Sequence, residues 1–250
     1  MPMASPRRTA VISDLHGNRW AVAAVLEDIR RRRIDRLVNL GDALYGPLDP
    51  AGTADLLLAN PMPTVRGNQD RVILRAAARS DPPTLTWVRS LLRPEHRRWL
   101  ERLPFGLILD DGLGLFHASP DDDSAYLLWD VGPTGALRRS PEAIARAADT
   151  VSCPVMLCGH DHVPAEVLLP DGRLIVDPGS VGLPAYSDDL PCAHVMRSGS
   201  PHARYSIIAP CAAGWRIERV AVPYDWQAAA RTAEANGRPD WAAWLRSGWA

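Results

Sequence analysis

The stretch Thr9-Ala10-Val11-Ile12-Ser13-Asp14-Leu15-His16-Gly17-Asn18 sets the pattern from which the fold follows. A short apolar run closed by a polar turn reads as a buried strand. After Asn18, the residues Ala21, Val22, Val25, Leu26 and Ile29 recur at helical spacing within 19–33. Arginines fill the end of that segment, where cations favour the helix dipole. The same unit then returns. Leu37-Val38-Asn39-Leu40 is a second strand and runs straight into Gly41-Asp42. Asp49 followed by Pro50 reads as an N-cap and first helical residue, opening a helix to about Leu58. Pro63-Thr64-Val65-Arg66 is a third strand candidate, ending in the polar turn Gly67-Asn68-Gln69-Asp70. Strand, turn and helix in threefold succession indicate a sheet covered by helices.

The pattern continues with a helical segment over 84–102 that has a second start at Pro94. Segments 105–109 and 113–116 flank the turn Asp110-Asp111-Gly112 as a hairpin. Ser140-Pro141-Glu142 opens another helix, and Val155-Met156-Leu157-Cys158 is a buried strand leading into Gly159-His160-Asp161-His162. Strands at 165–169, 174–177, 204–209 and 215–222 follow, and two tryptophan-rich helices close the chain. Neither a low-complexity linker nor a fixed-period repeat divides it. The expectation is one α/β (α+β) domain over 1–250 with two sheets, its helices of about 225–250 packing on the rest. Trp241, Trp244 and Trp249 either pack within the chain or form a dimer contact, so monomer and homodimer both stay open.

Composition narrows the function. The chain has 250 residues, 46% hydrophobic and 23% charged, which is ordinary for a soluble globular protein. Its 28 basic and 29 acidic residues leave a formal net charge of −1, so no surplus of positive charge exists to hold nucleic acid or anionic membrane. All the basic residues are arginine, which excludes Schiff-base chemistry and a phosphate-loop lysine. Cys153, Cys158, Cys192 and Cys211 match neither zinc-knuckle nor disulfide-framework spacing and read as reduced thiols. No apolar run approaches the roughly 20 residues that span a bilayer, and residues 1–13 lack the apolar core of a signal peptide. The expected location is the cytoplasm.

Four of the seven histidines, His16, His117, His160 and His162, sit directly after expected strands. Asp14, Asp42 and Asn68 occupy matching places. In open α/β sheets, ligands bind beyond the carboxyl ends of strands. Mixed imidazoles and carboxylates suit Mn, Fe or Zn, whereas an all-oxygen set would suit Mg or Ca. His160 and His162 alternate in direction if extended and so can serve two ions. Asp14 and His16 can grip one ion, and Asp42, from a separate strand, is the natural bridging carboxylate. Gly41, Gly67 and Gly159 are expected to lift the following side chain toward the ions.

Asp14-x-His16, Gly41-Asp42, Gly67-Asn68-x-Asp70, His117 and Gly159-His160-x-His162, in that order, resemble the calcineurin-like metallophosphoesterase superfamily. Ser13-Asp-Leu-His-Gly-Asn18, Gly41-Asp-Ala-Leu-Tyr-Gly-Pro47 and Asp177-Pro-Gly-Ser-Val-Gly182 are similar to its small bacterial phosphodiesterase-like branch. The resemblance implies a four-layer αββα sandwich of two mixed β-sheets flanked by helices. It also implies two divalent ions, with manganese favoured. Asp14, His16 and His162 would hold the first, Asp42 would bridge, and Asn68, His117 and His160 would hold the second. Asn68, Gln69, Asp70 and His117 fall where the resemblance places catalytic groups. Two such ions would lower the pKa of a shared water from about 15.7 toward about 7, so the resemblance implies that a metal-bridging hydroxide would attack phosphorus. The substrate class the resemblance implies is a small phosphoester, most readily a phosphodiester, with a nucleotide as one candidate, without a membrane or stable nucleic-acid partner. Protein phosphatase, dinucleoside polyphosphate hydrolase and low-activity scaffold remain alternatives on the same fold.

Two departures from the family pattern stand out. Relatives often carry histidine where this chain has Gln69, and an amide cannot deliver a proton at neutral pH. Asp70, which would orient that histidine, is left to pair with Arg66 or Arg71 or to cap a helix. After Pro184, an Arg-Asp pair is replaced by Ala185-Tyr186-Ser187-Asp188, and a segment through His194 and His202 follows as either a surface hairpin or a loop over the metal site. Asn18, Arg19 and Tyr45 are expected near a substrate phosphate or base. Losing general-acid help costs about 10²–10⁴-fold, least for leaving groups that depart readily as anions. Gln69→His is therefore expected to raise turnover on alkyl esters more than on p-nitrophenyl esters, measured as kcat on each; equal turnover on alkyl esters would remove the idea.

Overall fold

The computed structural model describes residues 7–250. Strand β1 (Thr9–Ile12) is buried on both faces, with Ala10 and Ile12 turned toward helices and Val11 toward a second sheet. The Asn18 side chain accepts from the Ala21 N–H and caps α1 (Arg19–Arg31), whose buried face is Ala21, Val22, Val25, Leu26 and Ile29, as the spacing predicts. Its closing arginines are solvated ion pairs, Arg30 with Glu27 and Arg31 with Asp28. Strand β2 (Arg36–Asn39) runs parallel to β1, with Asn39 opposite Ile12. Asp49 accepts from the Gly52 N–H and caps α2 (Pro50–Ala59).

The expected third strand at 63–66 reduces to one parallel bridge between Thr64 and Asn39. Pro61 and Pro63 bring no N–H for a ladder. The turn after it is already the first turn of α3 (Asn68–Leu74). The 84–102 segment divides into α4 (Pro83–Leu91) and α5 (Pro94–Arg102). Pro94 cannot continue a helix and pushes Arg93 to extended backbone. The hairpin of β3 (Gly106–Ile108) and β4 (Leu113–Phe116) forms as expected. A second hairpin, β5 (Trp129–Gly132) with β6 (Gly135–Arg138), is absent from the sequence reading.

Ser140 caps α6 (Pro141–Ala147), and β7 (Val155–Leu157), β8 (Ala165–Leu168) and β9 (Leu174–Asp177) follow. The segment after Pro184 is a hairpin of β10 (Ala185–Asp188) and β11 (His194–Arg197). The long pair β12 (Ala203–Cys211) and β13 (Gly214–Val222) leads to α7 (Trp226–Ala235) and α8 (Pro239–Ser247).

Two mixed sheets result, ordered β13-β12-β1-β2 and β3-β4-β7-β9-β8. Val11, Val38, Leu40 and Ile208 of the first meet Leu113, Leu115, Val155, Leu157 and Val176 of the second. Each such side chain contributes about 1.5–3 kcal/mol on burial, so the interface between the sheets is stiff. Helices α1 to α5 cover the outer face of the first sheet, and α6 covers the second through Ile144 against Met156 and Ile175. The architecture is thus the expected α-β-β-α sandwich. Helices α7 and α8 pack on it through Ala229, Ala230, Trp241 and Leu245 against Leu48 and Leu183. Trp241 packs within the chain, while Trp249 is half exposed beneath Arg197.

The loop after β9 threads between β1 and its following turn. The Val181 and Gly182 N–H groups donate to the Ser13 and Asp14 carbonyls at 3.0 and 2.9 Å. A Cβ on Gly182 would be driven into the Leu15 carbonyl, a backbone group that cannot step aside. Gly182→Ala is therefore expected to cost more than about 3 kcal/mol and to loosen Asp14, read as a lower urea midpoint together with lost metal affinity.

Candidate metal centre

Strands β1, β2, β4 and β7 all end at one edge of the sandwich. Among the described residues, six non-glycine positions have positive φ, and five of them are Asp14 (55°), His16 (49°), Asp42 (50°), His160 (74°) and His162 (63°). Left-handed backbone costs such residues on the order of 1–3 kcal/mol each, and it persists only where the surroundings impose it. The side chains themselves thus carry the turn that the sequence reading assigned to the preceding glycines. Only Gly41 of those three is left-handed, at 98°. Gly67 and Gly159 serve close approach instead: a Cβ would strike Asp42 at the first and Ser13 and Asp14 at the second. Nor is the 160–162 segment extended, so backbone twist rather than strand alternation parts its two rings.

Asp14 is held from every side. Its N–H donates to the Gly41 carbonyl at 3.0 Å, its carbonyl accepts from the Ser180 hydroxyl at 2.8 Å, and its Oδ2 accepts from the His160 N–H at 3.1 Å. Its Oδ1 is buried without a hydrogen-bond partner, 3.4 Å from His162 Nε2. Beneath the 160–162 turn, Asp161 accepts from the Trp129 indole and the Val163 N–H, and Asp177 accepts from the Gly179 N–H. Burial pushes Asp161 up to about 7 and Asp177 well above the ordinary range, so this carboxyl pair retains protons that an exposed pair would lose.

The imidazoles share one device. Ring Nδ1 donates to a backbone carbonyl in His16 (Tyr45, 3.0 Å), His117 (Leu40, 2.9 Å) and His162 (Leu183, 2.8 Å). A carbonyl only accepts, so each neutral ring must present an unprotonated Nε2. His160 is reversed: its Nε2 donates to the Ser124 carbonyl at 3.1 Å, leaving Nδ1 as its free nitrogen. The consequence is a clash of lone pairs. His16 Nε2 and His162 Nε2 face each other at 3.0 Å, whereas His117, which Asp42 keeps protonated, points Nε2 toward Asn68 Oδ1 at 3.1 Å and Asp42 Oδ1 at 3.5 Å. Facing acceptors such as those of His16 and His162 call for a cation between them.

Two compact donor groups follow, Asp14 with His16 and His162, and Asp14 with Asp42 and His117. Asp14 belongs to both groups, and adjacent parallel strands deliver it and Asp42, the carboxylate expected to bridge, to the same edge. His160 stands outside these groups, its ring 5.2 Å from that of His117. Burial, then the charge of His162, pushes His16 down to about 4, and burial with the charge of His117 does the same to His160. Burial opposes a proton on His117 too, but Asp42 outweighs it and holds that ring at about 10. Burial works to raise Asp14, but His162, His117 and His16 together hold it far below the carboxylate range.

Other expectations need correction. Asp70 is fully buried, away from the cavity and from Arg66; its carboxylate accepts from the Gly67 and Ala43 N–H groups at 3.1 and 3.0 Å, and Arg71 pairs instead with Asp123. Of the alternatives open to Asp70, the helix cap is the one that forms, and it ties α3 to the Asp42 turn. Asn18 is also buried, donating to the Gly182 carbonyl and the Tyr224 hydroxyl, while Arg19 pairs with Asp49. Neither lines the site.

A cavity of about 410 Å³ opens above the donors. His16, Asp42, Asn68, Gln69, His160 and His162 form its floor, with Asp14 and His117 below. Its walls are Tyr45, Tyr126, Tyr186, Asp188, Arg238, Trp241 and Trp244. The segment after Pro184 is thus both a hairpin and a wall of the site. Tyr126, Arg238, Trp241 and Trp244 were not singled out as site residues, because no local spacing marks a residue delivered from a distant helix or loop.

A four-layer sandwich with histidines, carboxylates and an amide gathered at its strand ends defines a metallophosphoesterase framework. The sequence matches the calcineurin-like phosphoesterase superfamily domain over residues 8–197, and the chain belongs to that family. It is similar to a metallophosphoesterase from Sphaerobacter thermophilus, 25% identical, with 98% of this chain and 100% of that one covered at a TM-score of 0.74. A hypothetical protein from Pyrococcus horikoshii shares the fold at 20% identity and TM-score 0.72, covering 96% and 98%. An uncharacterized protein of Methanocaldococcus jannaschii is 26% identical over 258 residues, 93% of this chain and 94% of its own. Among the described residues, no helix is long and apolar enough to cross a membrane.

Burial, then the charge of Asp42, raises Asp70 from 3.8 to about 7. The folded chain therefore binds this proton more tightly than the unfolded chain. The resulting stability is fully present below about pH 4 and is lost as pH rises through about 7. In metal-free protein, the stability of the natural chain relative to Asp70→Asn is expected to fall between pH 5 and pH 8, measured by urea unfolding at each pH.

Proposed function

We propose that the chain is a dinuclear metal-dependent phosphodiesterase. One observation carries the reading: His16 and His162 aim unprotonated nitrogens at each other across 3.0 Å beside the partnerless Oδ1 of Asp14. The donor set fits divalent ions of the Mn, Fe or Zn kind, with manganese favoured. Asp14, His16 and His162 would hold one, and Asp42, Asn68 and His117 the other, with Nδ1 of His160 free to join it. Such a pair supplies a nucleophile at neutral pH and neutralises charge on the phosphoryl oxygens.

The chain's own groups do the rest. Backbone carbonyls fix each ring's tautomer, so no reorganisation is needed when phosphate enters. Asp42 Oδ1 also accepts from the Gln69 N–H at 2.9 Å, which ties the cavity floor to the start of α3. Among the described residues that line the cavity, Arg238 is the only arginine, and it is already paired with Asp240 at 2.6 Å. A monoester dianion therefore finds little further positive charge. A diester carries one negative charge and a second substituent, which the aromatic wall of Tyr45, Trp241 and Trp244 can cover. That wall favours diesters over monoesters and over the phosphorylated side chain of a protein.

Purified protein loaded with Mn²⁺ is expected to hydrolyse bis(p-nitrophenyl) phosphate faster than p-nitrophenyl phosphate and to lose activity in chelator. Asp14→Asn and His162→Gln should each lower bound manganese, counted by elemental analysis, and reduce diester kcat by at least about 10²-fold. Full manganese content without diester hydrolysis would point to a scaffold, and a faster monoester reaction to a phosphatase.

A further inference from the structure

The family match ends at residue 197, yet part of the cavity wall comes from α8, well beyond it. Trp241 and Trp244 stand three residues apart and so share one face of that helix. Trp241 is 4% exposed; its ring meets that of His16 edge-on, with centroids 5.8 Å apart at 82°, and a Cβ on Gly46 would strike it. Trp244 lies one ring further on, 6.4 Å from Trp241 at a tilt of 40°, and is only half-buried. A run of aromatic rings thus leads from the donor floor to the solvent side of the cavity.

The helix is anchored on several sides. Arg246 pairs with Glu234 of α7 at 2.6 Å, and the Asn236 amide donates to the Pro47 carbonyl at 3.0 Å. Arg238, at the head of α8, pairs with Asp240 and donates to Thr84 Oγ1 of α4 at 3.1 Å. A ring on such a support loses little freedom when a ligand covers it. Four tryptophan faces in this chain already carry an arginine: Arg19 lies over Trp20, Arg138 over Trp129, Arg197 over Trp249 and Arg238 over Trp241. Among the described residues no arginine lies over Trp244, although its ring lines the cavity. The cavity's 410 Å³ falls in the range of sites that enclose whole small molecules, so a bare phosphate would leave most of it empty.

We infer that Trp244 is a specificity-determining residue, selecting phosphodiesters whose retained arm ends in a planar aromatic ring, a nucleobase or an aryl group, that stacks on its open face. This rests on the phosphodiesterase reading above and names its substrate class. In an in-line displacement the leaving oxygen departs opposite the nucleophile, away from the floor. The arm that stays on phosphorus keeps to the side, where α8 forms the wall. Aromatic rings attract one another in offset or edge-on arrangements, so a flat ring gains more from this wall than a saturated group of the same size. Hydrolysis consumes one water and releases the leaving alcohol and a monoester that carries the ring.

The test holds the leaving group constant. Manganese-loaded protein is assayed on p-nitrophenyl phosphodiesters whose retained arm is methyl, cyclohexyl, phenyl or thymidine 5′-yl. The phenyl and thymidine diesters are expected to exceed the methyl diester by about 10-fold in kcat/KM, chiefly through KM, with cyclohexyl well below phenyl. Trp244→Ala should shrink the phenyl-to-methyl and thymidine-to-methyl ratios by about 10-fold, and Trp244→Phe, which keeps a ring in place, should shrink them less. Thymidine 5′-monophosphate should inhibit the natural protein more tightly than methyl phosphate, and Trp244→Ala should lose that margin. Thymidine above phenyl identifies the ring as a nucleobase, and phenyl equal to or above thymidine identifies it as a plain aryl group. Equal kcat/KM on all four diesters, cyclohexyl matching phenyl, or a Trp244→Ala loss that is the same for every arm overturns the assignment of Trp244 while leaving the phosphodiesterase reading intact. Failure of the natural protein to cleave any of the four overturns that reading and the assignment with it.

Discussion

The site depends on a single kind of contact, the hydrogen bond from an imidazole N–H to a backbone carbonyl. Tyr45, Leu40, Leu183 and Ser124 each accept from one histidine, and each thereby determines which nitrogen of that ring stays bare. Backbone carbonyls do not titrate and move only with the fold. The donor atoms are thus set by the sandwich and not by side-chain choice, and the lone pairs of His16 and His162 oppose each other without relief from within the chain.

Holding such an arrangement requires a stiff support. The interface between the two sheets is built from Val11, Val38, Leu115, Leu157 and their neighbours, which leave the parallel strand ends no freedom to splay. Strain is then concentrated in five left-handed residues at those ends. The loop of Ser180 and Gly182 closes over the Asp14 backbone, and Asp70 locks the Asp42 turn to α3. Residues that look catalytic by their place in the sequence divide accordingly: Asn68 and Gln69 face the cavity, while Asp70 holds the backbone that presents them.

Much of this was legible beforehand. The strands at 9–12 and 36–39, the caps at Asn18, Asp49 and Ser140, and the donor residues after strands all follow from local pattern, because apolar periodicity and capping are short-range effects. The 63–66 strand failed for a reason also present in the sequence, its prolines. The hairpin at 129–138 was missed because its exposed, mixed residues carry no clean alternation, and it is held by contacts such as Trp129 with Asp161. Tyr126, Arg238 and Trp241 entered the cavity through distant packing that no local motif encodes.

The sequence by itself determined the chemistry on offer: which side chains end the strands, that they are imidazoles, carboxylates and an amide, and that a glutamine follows Asn68. These are matters of composition and spacing, and they survive without coordinates. Tertiary structure alone decided which nitrogen each ring exposes, that Asp14 is shared between both donor groups, and that a tyrosine pair and the last helix wall the cavity. Each of those depends on a contact between segments far apart in the chain, where distance along the sequence carries no information about distance in space.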